Sequence, residues 1–118
     1  MRNKNQKGRC VKMSLPHFEE VVKTYDDLQL AAAKSLSANS NFVCIQSNVD
    51  SVEVDETKYT SDFLCKDKDG AYTIYECVYR KQIDKPKMMK LLDSSQQFWT
   101  ARGVQWGLIL DKEGDRDE

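Results

Sequence analysis

Two carboxylates stand where carboxylates are uncommon, inside runs with the character of strands. Asp62 lies in Tyr59-Thr60-Ser61-Asp62-Phe63-Leu64, and Glu76 lies in the middle of Tyr72–Arg80. Between them Asp69-Gly70 is a strong hairpin signal, since glycine supplies the positive φ that a tight turn requires. Pairing about that turn makes Asp62 and Glu76 near neighbours across two strands. Adjacent carboxylates repel and lose solvation unless a cation sits between them. A divalent site holding Mg²⁺ or Mn²⁺ through two carboxylates, with waters and phosphate oxygens completing the shell, is the chemistry this pair suggests. The alternative is two acids facing solvent at a sheet edge.

A second group of residues suits phosphate rather than metal. Arg80, Lys81, Lys85, Lys87 and Lys90 form a basic cluster interrupted only by Asp84. Such a cluster tracks a nucleic-acid backbone or is simply a solvated helix face. The cysteines Cys10, Cys44, Cys65 and Cys77 are widely spaced and contain no C-x-x-C. Strand parity puts Cys65 and Cys77 on one face, opposite Asp62 and Glu76. A structural Zn²⁺ held by Cys10, His17, Cys65 and Cys77 is one reading, and buried inert thiols are the other.

The elements that must position these residues can be read in order. Thr24-Tyr25-Asp26-Asp27 has the form of a helix start with Thr24 as cap, and Tyr25, Leu28, Ala31, Ala32 and Leu36 follow with helical spacing. Phe42–Val49 and Tyr59–Cys65 read as strands, Lys66–Gly70 as the hairpin loop, and Tyr72–Arg80 as the next strand. Pro86 suits the first turn of a second helix whose apolar positions are Met88, Leu91, Leu92, Phe98 and Trp99 and which Gly103 closes. Met88 and Met89 both read as core. Val104–Leu110 is a continuous apolar run, the pattern of a buried central strand. The order is α, β, β, β, α, β, an α/β chain with a mixed sheet covered by helices.

The run from Tyr59 to Leu64, then Asp69-Gly70, then Ile74-Tyr75-Glu76-Cys77-Val78, resembles the core motif of the PD-(D/E)xK (restriction-endonuclease-like) superfamily. The segment Ala101–Asp111, with Trp106-Gly107 before an apolar strand, extends the resemblance to the N-terminal domain of TnsA-type transposon endonucleases, over residues 24–111. The resemblance implies a restriction-endonuclease-like core of αβββαβ order, a mixed four-stranded sheet flanked by helices. It implies a catalytic site in which Asp62 and Glu76 hold the metal and Gln29 occupies the place of the family's helix acid, one turn after Asp26 and Asp27. The family lysine falls on Val78, which neither ligates nor activates water, and Ser61 stands where the family has proline. Lys87 or Lys90 is the geometric candidate for a substitute lysine. Arg80 shares the face of Glu76, binds phosphate, and is a poor base because it stays protonated.

The implied function is a mobile-element protein with a degenerate nuclease fold that binds DNA or a protein partner such as a transposase subunit. One alternative is an active Mg²⁺-dependent DNA endonuclease using Asp62 and Glu76. Another is a small inhibitor of a host CRISPR effector nuclease, for which the acidic stretch from Asp111 to Glu118 is the sequence feature. The 118 residues make a single domain, and 40% apolar with 31% charged residues is a globular composition with no membrane-length apolar run. Residues 1–20 read as a basic N-terminal arm, 21–111 as the nuclease-like domain and 112–118 as an acidic disordered tail. The polar start, with no apolar leader segment, predicts a cytoplasmic protein with reduced thiols.

Overall fold

The structure is a computed structural model that describes residues 11–54 and 57–111. It is α/β, with a four-stranded mixed sheet and two helices. No helix among the described residues is long and apolar enough to cross a membrane.

The N-terminal region departs from the sequence reading. From Val11 onward the presumed arm belongs to the fold. Val11–Met13 (β1) pairs antiparallel with Val22–Thr24 (β2). The His17 carbonyl accepts the Ile45 N–H at 2.8 Å, and the Phe18 ring meets Phe63 edge-on at 6.0 Å. Thr24 is therefore strand, not a helix cap. The cap is Asp26, whose carboxylate accepts the Gln29 N–H at 2.8 Å and opens helix α1 (Asp27–Ser37). Leu28, Ala32, Ala33 and Leu36 form the buried stripe of α1.

Phe42–Val54 (β3), Thr57–Asp67 (β4) and Tyr72–Val78 (β5) run as an antiparallel meander. Gly70, at φ 87°, turns β4 into β5. A 3₁₀ turn at Arg80–Gln82 leads to helix α2 (Pro86–Thr100), with Pro86 at its start. Strand β6 (Gln105–Leu110) returns parallel to β5, giving the order β3-β4-β5-β6.

Strand β6 is thus an edge strand, half-buried, rather than the central strand its uninterrupted apolar run suggests. Both of its faces are covered, which accounts for the pattern. Trp106, Leu108 and Leu110 pack with Val78, Met88 and Leu92 on the α2 side, while Ile109 joins the cluster of α1 with Phe63, Cys65 and Cys77. Met89, expected in the core, is 55% exposed, because the stripe of α2 that faces the sheet runs through Met88, Leu91, Leu92, Ser95 and Trp99.

Gly107 sits opposite Tyr75, and a Cβ there would lie 3.3 Å from the tyrosine ring. Gly107→Val is expected to lower the free energy of unfolding by about 2 kcal/mol through overpacking, measured by urea denaturation. A loss below about 0.5 kcal/mol would show that the Tyr75 ring yields.

Candidate functional site

Asp62 is fully buried. One carboxylate oxygen accepts the Gln29 side-chain amide at 2.9 Å, and the other accepts the Cys77 backbone N–H at 2.7 Å. The orientation of Gln29 is fixed by its other bonds. Its Oε1 accepts the Tyr25 N–H, and its Nε2 also donates to Asn48 Oδ1, both at 2.9 Å. Asn48 in turn donates to the Lys23 carbonyl at 2.8 Å. Five segments, from β2 to β5, are joined through one buried charge and two amides.

Glu76, also fully buried, is satisfied differently. Its Oε1 accepts the Tyr59 hydroxyl at 2.9 Å, and its Oε2 accepts the hydroxyls of Ser61 at 2.7 Å and Ser95 at 2.6 Å. Those serines take indole N–H groups in turn, Trp99 to Ser61 at 3.1 Å and Trp106 to Ser95 at 3.3 Å. This second network ties β4 and β5 to α2 and β6.

The two acids therefore serve opposite faces of the sheet, Asp62 toward α1 and Glu76 toward α2. Regular alternation would put them on one face. Phe63 pairs with Tyr75, and the same register would set Asp62 opposite Glu76. The paired residues stop at Phe63, however, and the Asp62 carboxylate takes the Cys77 N–H at that point. On the other side, Ser47 pairs with Phe63 and Val49 with Ser61, while Asn48 between them has φ 55°. The alternation slips at this step. Asp62 and its neighbour Phe63 both lie on the α1 side, and Ser61 falls to the α2 side. The β5 residues that share the face of Asp62 are Tyr75 and Cys77, continued by Tyr79, and none is acidic.

The structure thus brings Gln29 to Asp62 but does not bring Asp62 and Glu76 to a common point. In both networks the carboxylate oxygens accept from N–H and O–H donors of the protein, and the Gln29 oxygen likewise accepts a backbone N–H. That donor set does not fit a divalent ion. Among the described residues no group of three or more His, Cys, Asp and Glu side chains is placed to hold a metal ion. Val78, where the resemblance would call for a lysine, is buried in a cluster with Met88 and Leu92.

The basic residues remain at the surface. Lys81, Lys85, Lys87 and Lys90 are exposed along the 3₁₀ turn and the first half of α2. Arg80 is exposed but committed. Its N–H donates to Asp111 Oδ1 and its Nε to the Asp111 carbonyl, each at 2.6 Å, which pins the end of β6 to the end of β5.

Cys65 and Cys77 are buried on the α1 side, as strand parity predicts for the pair, but Asp62 is on that side too. Burial pushes the Cys65 thiol up to about 12, so it stays protonated and unreactive at neutral pH. Cys44 donates to Glu19 at 3.0 Å, and that bond raises the thiol pKa while lowering that of the carboxyl. His17 is exposed, and Cys10 of the zinc set lies outside the described residues.

Sequence reasoning missed Asn48, Ser61 and Ser95. Ser95 had a signal: a serine on the apolar stripe of α2, between Leu92 and Trp99, needs a buried partner. Models of known protein families give no match to this chain, and no curated protein matches it.

Gln29→Glu sets a second carboxyl against Asp62 in the interior. The variant is expected to lose about 3 kcal/mol at pH 7. Like charge and burial raise the folded pKa of the new glutamate above its unfolded value of about 4.3. The stability it permits is therefore present below about pH 4.3 and lost as pH rises through the raised value. Denaturation of the variant and the parent from pH 4 to 8 measures this, and a gap that does not widen with pH contradicts it.

Proposed function

We propose that this chain is a nuclease-like α/β domain of the restriction-endonuclease type that binds DNA without cutting it. The observation that carries the reading is the commitment of the two candidate metal ligands to protein donors on opposite faces of the sheet, with valine at the lysine position. Metal-dependent phosphodiester hydrolysis needs carboxylates that converge on one ion and a group that activates water. Here the same residue types do structural work instead.

The order α1, β3, β4, β5, α2, β6, with β6 parallel to β5, supports kinship with the TnsA-like core. The exposed lysines 81, 85, 87 and 90 support a DNA partner. Lys87 and Lys90 are three residues apart on α2 and so neighbour one another on its surface. Their role is to neutralise phosphates, which makes binding independent of sequence and steeply dependent on salt. In a mobile element such a domain holds DNA for a partner transposase subunit that supplies the chemistry.

Binding of a short duplex, followed by fluorescence anisotropy across a salt series, tests the reading. Lys87→Gln/Lys90→Gln is expected to flatten the slope of log affinity against log salt by about 1.8, from roughly 0.9 per lost phosphate contact. An unchanged slope would remove the basic surface from the account. Supercoiled plasmid with Mg²⁺ or Mn²⁺ should stay intact. Nicking that disappears in Asp62→Ala would restore the nuclease reading.

A further inference from the structure

We propose that the cleft at the C-terminal end of β5 receives a single unstacked nucleobase from a DNA strand held on the basic surface, an inference that rests on the DNA-binding reading above. The cavity there has a volume of about 280 Å³. That is just below the range of ligand pockets, which run from roughly 300 to 1,000 Å³. It suits one ring system rather than a whole nucleotide. Val78, Tyr79 and Met88 give it apolar and aromatic lining, and Asp26, Lys81 and Gln82 give it polar lining.

The Tyr79 ring is held in place, because its hydroxyl accepts the Leu28 N–H at 3.3 Å. Bases stack on aromatic side chains whatever their identity, since each has a π-face. Gln82 supplies the second observation. Its Oε1 is closed off from solvent and has no hydrogen-bond partner among the described residues. A buried acceptor without a donor is uncommon. The last side-chain torsion of glutamine is soft, so a small rotation presents that oxygen to the cleft. That oxygen offers the cleft an acceptor for the amino edge of a base. Lys81 lies in the lining, and Lys85 and Lys87 flank it in the chain just before Met88, where they would meet the phosphates on either side of the inserted base.

The test compares two labelled duplexes by anisotropy, one fully paired and one carrying a single bulged adenine, for which unstacking is already accomplished. The unmodified protein is expected to bind the bulged duplex about 10-fold more tightly. Gln82→Leu should bring the bulged duplex down to the paired one and leave the paired one unchanged. Lys85→Gln/Lys87→Gln should weaken both alike. A 2-aminopurine placed in the bulge gives a readout that needs no variant, since its fluorescence must change on binding if the base enters the cleft. Equal binding of the two duplexes, or an unchanged 2-aminopurine signal, overturns the base cleft and leaves DNA binding standing. Failure to bind either duplex at low salt overturns both.

Discussion

A carboxylate buried in the interior must be answered by partners from the protein, and the way Asp62 is answered organises this molecule. One oxygen takes the Cys77 N–H at the point where pairing between β4 and β5 ends. The other takes the amide of Gln29, whose own position is set by Asn48 and by the first turn of α1. Loss of either donor leaves a charge stranded in the interior, which is far costlier than loss of an ordinary contact. Helix, meander and the β1–β2 hairpin are therefore coupled through a single buried carboxyl group rather than through apolar packing alone.

The α2 side is built on the same logic with hydroxyl donors. Three hydroxyls surround Glu76, and two indoles complete the serines that supply them. Each tryptophan buries a large ring while its N–H finds a partner, as an interior indole requires. A polar network satisfied throughout fixes one arrangement of the surrounding elements, whereas apolar contacts tolerate sliding. The Arg80–Asp111 bonds then close the far end of β5 and β6 and leave the neighbouring lysines as the exposed charge of this region.

Much of the fold was legible because its signals are local. Asp69-Gly70 marked the hairpin, Pro86 the start of α2, and Leu28, Ala32 and Leu36 the buried face of α1, although Ala31 is exposed and Ala33 takes its place in the core. The edge position of β6 was not legible, since an apolar run records that both faces are covered, not how many strands lie beside it. The site failed at one step. Period-two counting places Asp62 and Glu76 on one face, and the break in the alternation of β4 at Ser61, Asp62 and Phe63 separates them. Nothing in these three letters announces that break. Gln29 was found through the family pattern, and its partnership with Asp62 is what the structure added.

The stability of Asp62→Asn, measured by urea denaturation with and without Mg²⁺, tests most directly whether Asp62 is a lock or a ligand. As a lock it accepts from Gln29 and from the Cys77 N–H, and asparagine would turn an amide N–H against one of them. The account predicts a loss of about 2 to 4 kcal/mol, and no stabilisation of the parent protein by Mg²⁺. In a metal site, carboxylates repel one another when no ion is bound. A variant as stable as the parent or more so, together with Mg²⁺-dependent stabilisation of the parent that the variant lacks, would contradict it.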